Sequence, residues 1–316
     1  MKEMMIIMEK EKPVFKTRVG GQALMEGIMM RGADKMCVAV REPSGNIFTE
    51  VSPVKVNAWH NIFFVRGVLN MADNLISGYK CLMKSADIAM QGEEVEEDKF
   101  DKWISEHFGE KGSNFVMALA ALFGGMLAIV LFMILPTTIV GLVDRFLPLG
   151  GFKTPIEGVL KLVMLVGYMW AVSFIPEMKR LFSYHGAEHK TIACYEAGEE
   201  LTVENVRRHR RFHPRCGTSF ILIVIVISIL LFSVLPWTST FWRVIQKLLL
   251  LPLVIGISYE IIKICGRYDN IVTRAISAPG LWLQHITTQE PDDSMIEVAI
   301  AAVLPVLPEN KEDAIW

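Results

Sequence analysis

The stretch SNFVMALAALFGGMLAIVLFMILPTTIVGLV, residues 113–143, contains no charged residue. A helix needs about 20 apolar residues to cross the hydrocarbon core of a bilayer, so this stretch is long enough to cross once. Pro136 is expected to end or kink the helix, because proline removes a backbone hydrogen bond. The sequence therefore predicts a protein anchored in a membrane.

Three further stretches raise the prediction to about four transmembrane helices. Residues 217–236 form the strongest span, whereas 154–176 and 244–263 carry charges near their ends. The uncharged part of the last stretch is short, so it crosses only if Arg243 and Lys247 extend towards the bilayer surface. The predicted fold class is a mainly α polytopic membrane protein, with a membrane domain over 113–263, a first span over 113–136 and a central loop over 177–216.

The composition agrees with a membrane protein and excludes several other classes. Of the 316 residues, 52% are hydrophobic and 21% are charged, and the mean hydropathy is +0.37. These values exclude a disordered, collagenous or coiled-coil chain, and five cysteines are too few for a disulfide scaffold. A net charge of −2 gives no overall basic surface, so nucleic acid is not expected as a partner.

The distribution of lysine and arginine predicts the orientation in the membrane. Four crossings place both termini and the central loop on one side. Fifteen lysines and arginines precede Ser113, 8 lie in the loop and 4 follow from Lys263 onward, against 5 elsewhere. The positive-inside rule then predicts a multi-pass cell membrane protein with both termini in the cytoplasm. The basic run Arg207–Arg211 is expected to meet anionic lipid headgroups.

Residues 1–112 are predicted to form a small cytoplasmic unit that contains β structure, and residues 264–316 a cytoplasmic tail. The glycine-rich segment 20–32 is interpreted as turns and strand ends, with a backbone anion site as the alternative. The rest of the unit is expected to contain a β-hairpin over 36–51, an amphipathic helix over 65–90 and an acidic linker over 92–101.

The central loop contains the pattern His-Gly-Ala-Glu-His at residues 185–189. On a helix, His185 and His189 lie one turn apart, so both imidazoles point the same way and are able to share one ion. Glu188 stands beside them and is the candidate general base, which would take a proton from a metal-bound water. A five-residue pattern is weak by itself, and ordinary histidines at a membrane surface are the alternative.

A second pair strengthens the prediction of a metal site. His213 and Cys216 follow in His-Pro-Arg-Cys, directly before the span that begins at Gly217. Two histidines, a third histidine and a cysteine are the ligand types of tetrahedral zinc, so zinc is the expected ion, with another divalent metal as an alternative. Glu196 is a further candidate ligand, on the same helical face as His189. Cys216 has the alternative role of a small apolar residue before the helix.

Glu260 is the remaining candidate, near the cytoplasmic end of the last span. An acid within a span usually faces a partner or a cavity, because burial of an unpaired charge in hydrocarbon is costly. The alternative is that Glu260 has already reached the interface. A transporter that uses Glu260 is a third functional hypothesis, although paired half-helices are not seen in the sequence.

Five segments make the chain resemble the YqhQ-like family of bacterial multi-pass membrane proteins, a family of unknown function. They are GGQALMEGIMMRG (20–32), HGAEHKTIACYEAGE (185–199), HPRCGTSF (213–220), GISYEI (256–261) and PGLWLQHITTQEPDD (279–293). The resemblance implies a membrane location and a predicted metal-dependent enzyme, and it implies no particular reaction.

The sequence thus supports two functional hypotheses from different classes. The first is a zinc-dependent hydrolase at the cytoplasmic face, with His185, His189 and one or both of His213 and Cys216 as ligands. The second is a scaffold, assembly or transport component in which a closed set of four ligands holds a structural zinc ion. The number of protein ligands separates the two, because catalytic zinc keeps one position for water.

Overall fold

The computed structural model describes residues 14–54, 58–91, 116 and 119–308. The predicted acidic linker over 92–101 and the first residues of the predicted first span lie outside the described residues. The described chain is mainly helical, with one small antiparallel sheet near the N-terminus. Contacts divide the chain into two units, which we call the sheet unit (1–91, 166–228 and 251–316) and the helical unit (92–165 and 229–250).

The sheet has four strands in the order of the sequence: β1 (Gly20–Leu24), β2 (Gly27–Arg31), β3 (Lys35–Arg41) and β4 (Ile47–Pro53). The hairpin expected over 36–51 coincides with β3 and β4, whose turn contains Gly45 at φ 89°. The glycine-rich segment forms a complete hairpin of β1 and β2 rather than turns and strand ends. Its turn places Glu26 at φ 50°, a conformation that few residues other than glycine adopt.

The helices follow in the order α1 (Val65–Ala89), α2 (Leu119–Phe146), α3 (Lys153–Val172), α4 (Pro176–Glu196), α5 (Val203–Arg208), α6 (Gly217–Ser233), α7 (Thr240–Arg267), α8 (Ile271–Thr287) and α9 (Asp293–Val303). Helix α1 matches the amphipathic helix expected over 65–90. The predicted division into a cytoplasmic unit over 1–112, a membrane domain over 113–263 and a cytoplasmic tail over 264–316 stays a prediction.

Both faces of the sheet are covered, which explains why β2 is buried over most of its length. On one face, Ile28 and Met30 pack with side chains of α4 and α9, among them Tyr184 and Val298. On the other face, Met29, Val38 and Val40 pack against Cys81 and Ile88 of α1. Alternation along the strands thus divides the apolar side chains between two cores, and the sheet holds α4 in place.

Among the described residues, three helices are long and apolar enough to cross a membrane, not about four as the sequence predicted. They are Leu119–Phe146, Gly150–Val172 (α3 with the short turn before it) and Thr240–Arg267. The helix expected to be the strongest span, α6, has 17 residues and covers about 26 Å at 1.5 Å per residue. The span expected to be the weakest is the 28-residue α7.

Helix α7 tolerates its two cations because they are buried against a carboxylate rather than left to reach the bilayer surface. Arg243 and Lys247 have no exposed surface, and both lie beside Glu157 of α3 in the helical unit. Lys247 donates hydrogen bonds to the Glu157 carboxylate and, at 2.7 Å, to the hydroxyl of Thr137. Lys161 lies 2.9 Å from the same carboxylate. Pairing of this kind permits charges inside a span.

Pro136 does not end helix α2, which continues to Phe146. A π-helical turn over Val130–Ile134 precedes the proline. Such turns change the register of the backbone hydrogen bonds within a continuous helix, so they accommodate a residue that lacks an N–H.

We expect Glu157→Gln to destabilise the protein strongly, because it leaves Arg243 and Lys247 buried without a counter-charge. Removal of one partner from a buried ion pair typically costs about 3–5 kcal/mol in the free energy of unfolding. Thermal unfolding of the detergent-solubilised protein measures the effect. The matched control is Asp144→Asn, which breaks the partly exposed pair of Asp144 with Lys153 and should lower the unfolding midpoint far less. Equal losses in the two variants would contradict a structural role for the Glu157 cluster.

Candidate metal centre

Helix α4 supplies most of the candidate site. It begins at Pro176, which suits the first turn of a helix because no N–H is needed there. The four-residue spacing brings the rings of His185 and His189 to a centroid distance of 4.4 Å. Gly186 lies between them because a Cβ at this position would collide with the backbone carbonyl of Gln289. The expected one-turn arrangement of the two imidazoles is therefore present.

Cys216 completes a group of three metal-ligand side chains with His185 and His189. Their ligand atoms all lie within 4.8 Å of one another, and Nε2 of His185 is 3.1 Å from Sγ of Cys216. A tetrahedral ion bound at 2.0–2.3 Å separates its ligand atoms by about 3.3–3.8 Å. Small side-chain movements therefore suffice to place these atoms around one ion.

Backbone carbonyls orient both imidazoles towards this centre. Nδ1 of His185 lies 2.9 Å from the carbonyl oxygen of Thr287, and Nδ1 of His189 lies 2.6 Å from that of Arg211. An Nδ1–H that donates to a carbonyl leaves the Nε2 lone pair of a neutral ring available for a metal. This arrangement is characteristic of metal-binding histidines.

Glu188 lies near the three ligand side chains, and its two carboxylate oxygens are in different environments. Oε1 accepts a hydrogen bond of 2.9 Å from the N–H of Gly21 in β1, whereas the buried Oε2 has no hydrogen-bond partner among the described residues. Burial raises the pKa of the Glu188 carboxyl above its usual value, although both histidines oppose the shift. The backbone of the glycine-rich segment thus binds a carboxyl group of the same chain.

The electrostatics of the group favour the thiolate form of Cys216. Burial by itself would raise the pKa of this thiol, but the nearby His185 and His189 hold the pKa well below its usual value. Burial would likewise lower the pKa of His185, but the Cys216 sulfur raises the pKa to about 9. The thiolate is the form of cysteine that binds metals and attacks electrophiles.

His213 and Glu196 belong to a neighbouring cluster rather than to the three-ligand group. Arg215 pairs with the Glu196 carboxylate, and Nη2 of Arg215 lies 3.1 Å from Nε2 of His213. Burial alone would raise the pKa of Glu196, but His213 and Arg215 lower the pKa to about 2; burial lowers the pKa of His213 to about 4. The ring of His213 is 5.5 Å from that of His189. The role of His213 as a ligand therefore stays a prediction.

Glu260 faces a partner, which was one of the two sequence alternatives. Its carboxylate accepts two hydrogen bonds from the guanidinium of Arg66 in α1, one of them at 2.6 Å. Gly67 makes this contact possible, because a Cβ there would meet the side chain of Tyr259 at 2.7 Å. Glu260 thus joins α1 to α7 within the sheet unit. Among the described residues, its carboxylate forms an ion pair with Arg66 and with none of the candidate ligands.

A second group of possible ligands contains Cys194, Glu199 and His209, whose ligand atoms also lie within 4.8 Å of one another. Cys194 is fully buried, and Nε2 of His209 lies 3.3 Å from the Glu199 carboxylate. Sequence reasoning did not single out this group. The spacing Cys-x₄-Glu-x₉-His resembles no common metal motif, and only the turn between α4 and α5 brings its members together.

Three supporting contacts were also missed. Gln284 of α8 is fully buried and exchanges two hydrogen bonds of 2.8 Å with the backbone of His213, which positions the loop that carries Cys216. Gly21 holds Glu188, and the carbonyl of Thr287 orients His185. Backbone donors and acceptors leave no residue-type signal, so only the buried amide in the otherwise apolar sequence Leu-Trp-Leu-Gln at 281–284 offered a clue.

The site thus combines three neighbouring ligand atoms and a carboxylate in a chain with three candidate membrane spans, which defines a membrane-associated protein with a candidate metal centre. Residues 62–309 match the family model described as "Protein of unknown function (DUF1385)". The chain belongs to this family. It is 36% identical over 290 residues to the uncharacterized protein YqhQ of Bacillus subtilis (strain 168), an alignment that covers 89% of each chain. No solved structure matches it.

We expect Gly21→Ala to disturb the site, because the new Cβ would lie 2.6 Å from the carbonyl oxygen of Met29 and 3.0 Å from Cδ of Glu188. Overpacking of this kind typically costs about 1–3 kcal/mol. The matched control is Gly20→Ala, whose Cβ meets no atom within 4 Å. Thermal unfolding should show a lower midpoint for Gly21→Ala alone. Equal midpoints would show that Glu188 does not depend on close approach of the β1 backbone.

Proposed function

We propose that the protein is a membrane-bound, zinc-dependent hydrolase whose site faces the cytoplasm. His185, His189 and Cys216 would hold the metal, and Glu188 would act as general base. The observation that carries the proposal is the buried Oε2 of Glu188, which has no hydrogen-bond partner among the described residues and lies near enough to the three convergent ligand side chains to interact with them electrostatically. An orphaned buried carboxylate oxygen is costly unless something binds it, and a metal with its water satisfies this requirement.

The donor set fits zinc, since two imidazoles and a thiolate are ligands that zinc prefers and three protein ligands leave one position open. When bound, zinc lowers the pKa of a coordinated water to about 7. The chain's own residues supply the rest. Gly21 fixes one oxygen of Glu188, the other is available to take a proton, and the carbonyls of Thr287 and Arg211 hold the imidazoles. The proposal names no substrate.

The alternative function is a scaffold, assembly or transport component with a structural zinc. The 5.5 Å distance between the rings of His189 and His213 favours it, because a rotation of His213 would bring a fourth ligand towards the ion. That rotation breaks the contact of His213 with Arg215. The third hypothesis, transport through Glu260, receives no support from the pairing of this residue with Arg66.

The contacts of the sheet unit support placing β1, α4 and α8 on one side of the membrane, which agrees with four crossings, and the lysine and arginine distribution supports the cytoplasm as that side. Because Gly21 contacts Glu188, β1 and α4 lie on the same side of the membrane. The two helices between them, α2 and α3, therefore either both cross the membrane or both do not. Because Thr287 contacts His185, α4 and α8 also lie on the same side. Helices α6 and α7 between them therefore either both cross the membrane or both do not. Since α7 is a candidate span, α6 would cross as well, and 17 residues lie at the lower limit for a crossing.

Reporter fusions test this topology. We expect fusions at Gly150 and Ser239 to report the outside, and fusions at Glu200 and the C-terminus to report the cytoplasm. The physical reason is the pairing of crossings together with the excess of lysine and arginine in the loop that contains Glu200. An external signal at Glu200 would move the histidines to the other compartment and contradict the proposed location of the site.

The metal and the general base are tested together in one set of variants. The purified protein should contain about one zinc ion per chain, and His189→Ala or Cys216→Ala should remove most of it, because each removes one of three ligands. Glu188→Gln should keep zinc and fold yet fail to complement a deletion strain, since it removes only the basicity, which typically contributes 10²–10⁴-fold to rate. Zinc content and protein level are measured in parallel with complementation.

Cys37→Ala is the matched control, because it removes a buried cysteine of the sheet unit that belongs to neither group of possible ligands. It should leave the zinc content unchanged. Full complementation by Glu188→Gln at normal abundance would contradict the hydrolase and favour a structural zinc. Full zinc content in a His185→Ala, His189→Ala double variant would contradict the metal site itself.

A further inference from the structure

Helix α8 has the opposite amphipathicity from a helix of a water-soluble domain. Its buried side is rich in polar and small residues, including Thr273, Ser277, Gly280, Gln284 and Thr287. Its exposed side is almost entirely apolar and consists of Ile271, Val272, Ala275, Ile276, Pro279, Trp282 and His285. At 100° per residue, these exposed positions fall on one face about 180° wide. We call this surface the outer face of α8.

The outer face is too apolar to be left in water. Ile271 is 78% exposed, Val272 65% and Trp282 53%. Contiguous exposed apolar surface of this kind marks contact with a membrane or a protein. Helix α8 begins only four residues after α7 ends at Arg267, so it starts at the point where a candidate span leaves the bilayer. A tryptophan on the outer face suits the membrane interface.

A partly open cavity of about 180 Å³ lies under the inner side of α8. Its walls come from the ends of α4 and α7, from α8 and from the loop over 210–215. Its lining is predominantly apolar, with Phe212 and Leu281 among the wall residues. The volume exceeds the roughly 150 Å³ of a cavity that holds benzene, and it is below the roughly 300–1,000 Å³ of sites for drug-sized ligands. It therefore suits a headgroup better than a whole lipid.

The charges that line the cavity favour an anion. Four cations reach its wall, namely Lys16, Arg210, Arg215 and Arg274, against the two carboxylates of Glu196 and Asp269. The lining therefore contains two more cations than carboxylates, and Glu196 pairs with Arg215 while Asp269 pairs with Arg274. Nζ of Lys16 donates a hydrogen bond of 3.1 Å to the carbonyl of Gly266, which holds this cation at the end of α7.

We propose that α8 lies in the cytoplasmic interface of the bilayer with its outer face towards the lipid, and that the cavity beneath it binds the headgroup of an anionic phospholipid. The acyl chains stay in the bilayer beside the outer face, while the phosphate lies among Lys16, Arg210 and Arg215. Of the basic run predicted to meet headgroups, Arg210 lines the cavity, whereas Arg207 and Arg208 lie outside it. Lipid binding here does not require a metal.

Native mass spectrometry of the full-length protein in detergent tests the cavity. With equal amounts of phosphatidylglycerol and phosphatidylcholine, we expect one phosphatidylglycerol to be retained preferentially per chain. Lys16→Gln and Arg210→Gln should each weaken its binding about fivefold, since each basic residue near a membrane surface contributes about that factor. Arg207→Gln is the matched control, because it removes the same charge outside the cavity and should have no effect. Unfolding midpoints in phosphatidylcholine verify that each variant is folded.

Three outcomes would overturn the proposal. Equal losses for Arg207→Gln and Arg210→Gln would show a general charge effect. Retention of soluble glycerol 1-phosphate as strong as that of phosphatidylglycerol would show a site for a free anion rather than for a lipid. Brominated lipids quench the fluorescence of tryptophans that they contact. If they quench the wild type no more than Trp282→Phe, the outer face of α8 lies against protein instead. Chelator-treated protein should bind the lipid normally, which separates this result from failure of the zinc hydrolase.

Discussion

A single hydrogen bond from the N–H of Gly21 to the carboxylate of Glu188 determines how the sheet and the candidate metal centre are combined. It buries a carboxylate at the junction of β1 and α4, where only a glycine permits the backbone to come so close. Once Glu188 is held there, the helical repeat directs His185 and His189 towards Cys216. The sheet therefore does more than cover a helix, since it fixes the carboxylate relative to the ligand atoms.

The same contacts constrain the membrane helices. A site assembled from β1, α4 and α8 exists only if these elements lie on one side of the bilayer, so the intervening helices must cross in pairs. Helix α7 is a candidate span although its sequence contains cations, and Glu157 neutralises part of their charge within the helical unit. In the proposed topology, the crossings and the site therefore depend on each other.

Periodicity and turn chemistry were sufficient to predict the β3–β4 hairpin, helix α1 and the one-turn spacing of His185 and His189. Hydropathy identified three stretches that form long apolar helices, but it ranked α7 too low, because it counts charges as costs and does not detect a buried partner such as Glu157. Local pattern also failed for Gly21 and Gln284. Their contribution depends on contacts between distant parts of the chain, and the backbone groups of Thr287 and Arg211 leave no mark in the sequence.

The contact between Arg215 and His213 bears on whether a bound zinc would be catalytic or structural. A closed four-ligand site needs His213, but Nε2 of this residue already accepts a hydrogen bond from Arg215 while Glu196 pairs with the same guanidinium. Recruitment of His213 would leave the partly buried Arg215 with one partner fewer, which is costly. Three ligands and a neighbouring base need no such rearrangement. We infer that a bound zinc ion would keep an open coordination position, and that Glu196 and Arg215 would lie next to the site without binding the ion.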